Sequence, residues 1–534
     1  MDSKRSILST ELQDHYQSHG VSGLESYIKK QPQHTNMNMN MNMNMNMRQE
    51  DEEDDEPSVS TSTRFIRLNP RYDANQTLKL LRKEFKNGEE AIEVPWLSKD
   101  LGFYAIPESF ALSRSETFHS GRIYGMCVSS GAAVAALLLE EYDVNKSRGE
   151  EFSGEEEKDD SSRTCINGEY ELRVLDLCCA PGLKTCAIAD LLETTHGGKA
   201  NIHIVGVDVS EKRLQLCKNI IKKYHVDHET CGGGAEMPSI INNTVEVEVS
   251  HDGNNKIESP NAMGCLPNQK IIIQLFNADG TKFGTSRDSS SLIFDSRVAM
   301  EQKNRAGKRK RMNKSAKARE SKRLKMVADD FFTNVNCSGV NNVSNVANDS
   351  IEGGEKSESE KSPSITIPLF DRVLVDAECS TDGAVRHLQH KYRSTRSQEQ
   401  MATNSKLTNA QQLQDLVALQ KKLIMAGFGL LKPGGIMVYS TCSLAKEQNE
   451  DVVSWLLSEC RESAELVPVS FEGSAVNTVY TGTRTCGDPI SFPPKQRDLE
   501  AITDGKIMGT VRFHPSVNND LFGGGFFLAK ITKK

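Results

Sequence analysis

Four apolar runs of strand length, Val174-Leu-Asp-Leu177, Ile202 to Val209, Ile271 to Phe276 and Val373 to Val375, each have an aspartate at or near their end: Asp176, Asp208, Asp279 and Asp376. Helical stretches follow the first two, at Thr185 to Glu193 and Glu211 to Tyr224. Strands alternating with helices pair in parallel, because each helix carries the chain back to the edge it left. The four acids then collect at the carboxyl edge of one sheet, where open α/β sheets bind ligands. A long amphipathic helix, Leu407 to Leu431, carries Leu416, Leu419, Leu423 and Ile424 on one face. Pro433-Gly434-Gly435 stops it before a fifth strand, Ile436 to Tyr439. Further strands are predicted at Leu466 to Val469, Gly509 to Phe513 and Phe526 to Ile531. The pattern predicts a doubly wound, Rossmann-like α/β sheet.

One acid after a strand is ordinarily a helix cap or loop solvation; four in succession point to a ligand. In dinucleotide folds an acid at the Asp208 position bonds ribose hydroxyls. No Gly-x-Gly-x-x-Gly and no phosphate-binding loop ending in Lys-Ser/Thr occurs in the chain. A ligand with ribose but no phosphate fits best, which points to S-adenosylmethionine beside the turn Cys178-Cys-Ala-Pro-Gly-Leu-Lys184.

Polar segments interrupt this rhythm. The hydrophobic fraction is 37%, below the globular norm of about 45–50%, which suggests one core diluted by insertions. Residues 1–62 are read as largely disordered, with Asn-Met pairs at 36–47 and seven consecutive acids from Glu50 to Glu56. Segments 144–166, 225–269 and 284–366 are read as disordered insertions, the last two dispensable for folding, because neither shows a core period. Residues 303–325 hold twelve Lys or Arg against one acid, so the net charge of −8 says little about the partner. Residues 63–118 form a small α+β unit, with strands at Phe65 to Leu68 and Ile92 to Trp96 around a helix at Thr77 to Phe85. The catalytic domain then spans 119–534.

The thirteen cysteines include no Cys-x-x-Cys, so no metal site is expected. Free thiols in that number suit a reducing compartment. The longest apolar run, Ala132 to Leu139, falls far short of the ~20 residues that span a bilayer. A soluble, intracellular protein without a membrane partner is expected.

Cys379 and Cys442 carry the chemistry. Each follows a predicted strand, the fourth and the fifth, so both fall at the same sheet edge. Singly, each would pass for a packed thiol. Beside a methyl donor, a thiolate adding to C6 of cytosine makes C5 able to attack the methyl group, and a base must then remove the C5 proton.

Leu175-Asp-Leu-Cys-Cys-Ala-Pro-Gly-Leu-Lys-Thr185, Val375-Asp-Ala-Glu-Cys-Ser380 and Tyr439-Ser-Thr-Cys-Ser443 together resemble the Sun/Fmu (NSUN-type) RNA cytosine-5 methyltransferases. Gly524 to Lys530 is similar to that family's closing strand, and Tyr124 to Leu138 to its lead-in segment. The resemblance implies a class I methyltransferase fold preceded by an RNA-binding domain, here residues 63–118. It implies Cys442 as covalent nucleophile, Cys379 as the thiol assisting elimination, Asp376 on the cytosine edge and Lys184 near the reacting base. It implies that Cys178, Cys179, Ala180, Pro181, Gly182, Leu183 and Lys184 hold the cofactor with Asp208, Arg213, Asp279 and Asp376. One departure stands out: Glu378 occupies the position where the family has proline. Proline fixes φ, so the loop carrying Cys379 is expected to be less rigid here, and the nearby carboxylate to raise the thiol's pKa.

The implied partner is RNA, rRNA or tRNA, bound by a monomer. Arg64, Arg67, Arg71, Lys79, Arg82 and Lys83 are candidate phosphate contacts. Lys308-Arg-Lys-Arg311 suits nuclear or nucleolar import. The rival reading is a non-catalytic RNA-binding assembly factor, favoured by Glu378 and opposed by the presence of Cys442, Lys184 and Asp376. Methylation of DNA cytosine lacks support, since the Pro-Cys pair after strand four is absent.

Overall fold

The computed structural model describes residues 63–139 (without 87, 95, 96, 98 and 108), 170–196, 200–226, 270–285, 290–306, 314–333, 367–384, 410–469, 510–513 and 525–534. The segments 1–62, 144–166, 227–269 and 334–366, expected to be disordered, lie outside the described residues.

The first unit is a four-stranded antiparallel sheet in the order β2-β3-β1-β4, made of β1 (Thr63–Leu68), β2 (Ile92–Glu93), β3 (Phe103–Pro107) and β4 (Ile123–Tyr124). Helix α1 (Ala74–Glu84) is capped by Asp73, whose side chain accepts from the Gln76 N–H at 2.7 Å. A short α2 (Glu116–His119) leads into β4. The unit therefore runs to Tyr124 rather than stopping at 118, because β4 completes the sheet by pairing with Arg67 and Leu68.

Helix α3 (Val128–Leu138) connects to the large sheet. Its strands are β5 (Tyr170–Leu177), β6 (Ala200–Asp208), β7 (Ile271–Asn277), β8 (Ser291–Asp295), β9 (Phe370–Asp376), β10 (Leu431–Thr441), β11 (Ala464–Val467), β12 (Val511–Phe513) and β13 (Phe526–Lys533). The order is β11-β13-β10-β9-β5-β6-β7-β8, with β12 on β13. The five strands from β10 to β7 are parallel, and antiparallel strands flank them. This is the predicted doubly wound sheet, and its direction of winding reverses between β5 and β9.

Side chains alternate across a strand, and here the alternation divides two cores. Val174, Ile204, Leu275, Leu374 and Val438 face α3, α4 (Leu183–His196) and α5 (Glu211–Ile221). Leu175, Val205, Phe276, Val373 and Met437 face α8 (Ala410–Gly429) and α9 (Glu450–Glu459). The first core continues into the small unit through Phe65, Leu101 and Phe103. Gly131 makes that junction possible, since a Cβ there would come within 2.4 Å of the Phe103 ring.

The expectation that 284–366 is a disordered, dispensable insertion is corrected in part. Within it, β8 forms the sheet edge, followed by α6 (Ser296–Ala306) and α7 (Lys314–Thr333). The high charge of α7 masks a short apolar face: Leu324, Phe331 and Phe332 are buried, and the Phe331 and Phe332 rings lie 5.1 and 5.9 Å from that of Phe276.

A buried charge cluster fixes the small unit. Arg67 Nη1 donates to Asp190 Oδ2 on α4 at 2.7 Å, with side-chain exposures of 1% and 0%. Arg71 bonds both Asp190 and Glu193, and the Tyr124 hydroxyl donates to Asp190 at 2.8 Å. His225, on the π-helical turn Lys222–Val226 after α5, lies 3.5 Å away. Arg67 and Arg71 are thus internal ligands of Asp190 and not phosphate contacts. Arg64 donates to the Phe110 carbonyl and Arg82 pairs with Glu90, whereas Lys79 and Lys83 stay exposed. Burial alone would raise the Asp190 carboxyl, yet Arg67, His225 and Arg71 hold it well below the usual range.

Phe331→Ala should lower stability by about 3–5 kcal/mol in urea unfolding, the cost of emptying an aromatic core site; a loss near zero would show that α7 does not pack. Asp190→Asn should cost about 3–5 kcal/mol at pH 7, because it strands the buried Arg67 guanidinium and leaves Arg71 with Glu193 alone. The depressed carboxyl stabilises the fold above its unfolded value of about 3.9, and that contribution fades as pH falls below it. The gap between wild type and variant should therefore narrow from pH 5 to pH 3; a constant gap would mean the carboxylate is not the stabilising species.

Candidate active site

The turn after β5 is shaped by two features. Cys178 takes φ 62°, a left-handed conformation rare outside glycine, and the Cys179 N–H donates to the Val207 carbonyl on β6 at 3.0 Å. The turn is thereby folded onto the end of the neighbouring strand. Asp208, ending β6, is nearly closed off: its Oδ1 accepts from Ser210 N–H at 2.8 Å, its Oδ2 faces Ala180 N at 3.4 Å, and Arg213 lies 3.7 Å away. Arg213 also donates to the Ala180 carbonyl at 2.8 Å, so it clasps turn and acid together. Asp279 is open by comparison, its side chain 43% exposed while Oδ1 accepts from Thr281. The edge thus brings together turn 178–182, Asp208, Arg213 and Asp279, as expected, with Asp208 more enclosed than a free loop acid.

Across the switch between β5 and β9, Lys184 Nζ reaches Asp376 Oδ2 at 2.7 Å, and the Ser440 hydroxyl donates to Asp376 Oδ1 at 2.8 Å. Burial opposes the charge on Lys184, but the Asp376 carboxylate outweighs it and raises the ammonium's pKa. Beneath them Asp176 is fully buried and accepts from Thr185 at 2.6 Å. Burial pushes its carboxyl up to about 7 against the pull of Thr185. Burial likewise pushes the Cys178 thiol up to about 12, with Asp208 and Asp376 adding to it.

The two cysteines meet. Cys379 Sγ and Cys442 Sγ lie 3.2 Å apart, Cys379 buried and Cys442 partly exposed. The hydrogen bond they share, then burial, then the negative charges of Asp376 and Asp382, raise the Cys442 thiol well above its ordinary value. At rest it is a thiol.

The loops carrying these cysteines are stitched together by buried amides and hydroxyls that sequence reading did not single out. Gln448 Oε1 accepts from the Ser380 N–H at 3.0 Å, and Gln448 Nε2 donates to Ser380 Oγ at 2.9 Å. Gln420 bridges the Glu378 carbonyl, at 2.9 Å, to Gln448. Asp382 accepts from the Leu444 N–H at 3.0 Å, and Ser380 bonds Ser443. Where the family has a proline ring, this chain holds the loop with hydrogen bonds, so the expected looseness at Glu378 is countered by Gln420 and Gln448. Gly383 admits the last strand: its N–H donates to the Cys442 carbonyl at 2.9 Å, and a Cβ on it would come within 2.5 Å of the Gly525 carbonyl. A signal was present in the run of polar residues from Ser440 to Asn449, too many for a plain strand end. Among the described residues no cluster of His, Cys, Asp or Glu could hold a metal ion.

The family of 16S rRNA methyltransferases RsmB/F matches residues 309–532. The likeness covers 224 of the 534 residues, less than half of the chain. Ribosomal RNA small subunit methyltransferase F of Klebsiella pneumoniae (strain 342) is 38% identical over 108 residues, 20% of this chain and 20% of that relative. The tRNA (cytosine(49)-C(5))-methyltransferase of Pyrococcus abyssi (strain GE5 / Orsay) is 34% identical over 141 residues, 26% of this chain and 41% of the relative. The chain thus spans between a fifth and about two fifths of the length of these curated relatives. A crystallised methyltransferase homolog protein from Pyrococcus horikoshii is 16% identical, with a TM-score of 0.41 over 99% of this chain and 100% of that one.

The raised Cys442 thiol makes a prediction independent of any substrate. Its alkylation by iodoacetamide, followed by peptide mass spectrometry, should climb about tenfold per pH unit through pH 7–9 without a plateau, since only the thiolate reacts. In Cys379→Ala, which removes the largest cause of the shift, the midpoint of the pH profile should move down. An unmoved midpoint would mean the two thiols are not coupled.

Proposed function

We propose that the protein is an RNA (cytosine-5) methyltransferase, which transfers a methyl group from S-adenosylmethionine to C5 of a cytosine in rRNA or tRNA through a Cys442–C6 adduct. The observation that carries this reading is the meeting of Cys379, Cys442, Asp376 and Lys184 at one sheet edge, next to turn 178–184. The residues fit the cofactor: a row of carboxylates suits ribose hydroxyls and a sulfonium charge, and would repel phosphate. Turn 178–184, Asp208, Arg213 and Asp279 would hold it. When bound, it supplies the electrophilic methyl group.

The chain's own residues account for the rest. Cys442 gives its proton to solvent and its sulfur adds to C6; the negative charge that develops on the ring is met by the Lys184 ammonium, while Asp376, oriented by Ser440 and paired with Lys184, takes the cytosine edge. C5, now nucleophilic, gains the methyl group. Cys379, 3.2 Å from Cys442, assists removal of the C5 proton, after which the C6–S bond breaks and its electron pair returns to the Cys442 sulfur. The basic run Lys308-Arg-Lys-Arg311 supports placing this activity in the nucleus or nucleolus.

The order of addition before proton removal sets the test. With RNA and donor, Cys442→Ala should give neither product nor adduct. Cys379→Ala should add and methylate but stall, leaving an RNA-linked protein that survives denaturing electrophoresis. An adduct from Cys442→Ala alone would exchange the two roles. No adduct from either variant, nor from wild type with 5-fluorocytosine RNA, would favour the assembly-factor reading.

A further inference from the structure

Helix α7 presents an arrangement of charge that its own fold does not use. Cations on its packed side are matched: Arg323 bonds Glu301 of α6, and Glu320 takes Lys218 of α5 at 3.1 Å. On the open side Lys314, Lys317, Arg319, Lys322 and Lys325 are all exposed, and none forms an ion pair among the described residues. Lys314, Lys322 and Lys325 fall at i, i+8 and i+11, one face of a 3.6-residue helix, with Lys317 and Arg319 flanking it. The eleven steps from Lys314 to Lys325 cover about 16 Å at 1.5 Å each. The first turn holds no acid. Cations in the first turn of a helix oppose the macrodipole, so Lys314 and Lys317 work against the helix that carries them.

The buried face of the helix packs on the second core, but its side chains also reach the layer that holds the small N-terminal unit, through Glu320 to Lys218 and Arg323 to Glu301. Lys223 and Tyr224, on the turn after α5, bond the Phe118 and Ile123 carbonyls of that unit at 2.7 and 3.0 Å. Lys303 of α6 bonds the Val226 carbonyl of the same turn at 2.8 Å, and α6 in turn carries Glu301, the partner of Arg323. A polyanion lying on the small unit can therefore continue across the turn to α7. With Arg67 and Arg71 consumed by Asp190, the small unit has fewer cations to offer than its sequence suggests.

We propose that the open face of α7 binds the RNA phosphate backbone, independently of base sequence, and extends the contact made at the small unit. This rests on the RNA methyltransferase reading above, and its test needs neither methyl donor nor chemistry. Binding of the full chain to a transcribed tRNA and to a 20-nucleotide oligouridylate is measured from low to moderate salt. The combined variant Lys314→Gln, Lys317→Gln, Arg319→Gln, Lys322→Gln and Lys325→Gln keeps good helix formers and the buried face. Each lost phosphate contact removes about 0.7–0.9 from the slope of log K against log[salt]. The slope should fall by about 2–4 for at least one of the two RNAs, with thermal unfolding unchanged. Restoring charge with arginine at the four lysine positions should restore the slope. A glutamine variant with the wild-type slope on both RNAs, or an arginine variant that stays weak, overturns the proposal while leaving the Cys442 adduct test standing. A wild-type protein that binds neither RNA overturns both readings.

Discussion

Strand β9 lies between β5 and β10 in parallel register, with Val375 opposite both Leu177 and Tyr439, and Asp376 opposite Ser440. Because parallel neighbours end at the same edge, the chemistry of three distant segments is delivered to one place. Lys184 comes from beyond β5, Asp376 from the end of β9 and Cys379 from just after it, and Cys442 from just after β10. A slip of one residue would turn Asp376 toward the opposite face, and the ion pair with Lys184 and the thiol contact would be lost together. The hydrophobic alternation that fixes the register, Val373 and Val375 to one side and Leu374 to the other, is thus also what positions the reactive groups.

Buried polarity complements that framework at two places and with different effects. Around Asp190, full charges are enclosed and paired between two units, which fixes how the small sheet sits on α4. Around Ser380 and Gln448, neutral amides and hydroxyls are enclosed with the single carboxylate of Asp382, and together they hold two loops beside the cysteines. A further charged partner there would shift the Cys442 thiol more, whereas the amides orient the loops without doing so.

The parallel sheet, its strand-end acids and the two cysteines were legible in the sequence because each rests on a local pattern: an apolar run, a turn, a polar residue at a fixed offset. What was not legible depended on partners far along the chain. Arg67 and Arg71 read as surface cations, since nothing near them reveals Asp190 more than a hundred residues away. Helix α7 read as a solvated basic run because its apolar residues are few and gathered at its end, and because the strand it covers, β8, is short. Gln420 and Gln448 carry no motif of their own; their role appears only when α8, β9 and the loop after β10 converge. The close of β4 at Tyr124 was missed for the same reason, since two residues make no period.

The contact between Gly383 and Gly525 has a bearing on how the molecule comes to exist. Strand β13 is not a rim: it lies between β10 and β11, carries β12, and brings Gly525 against the loop beside Cys442. Thr441 and Phe527, paired across β10 and β13, are far apart in sequence, and such long-range pairings close late because loop entropy must be overcome first. Until then β10 is an open edge, rich in apolar residues and apt to pair with other chains. The reactive centre is therefore among the last parts of the domain to be finished, and the interval before β13 docks is when the chain is most exposed to misassembly.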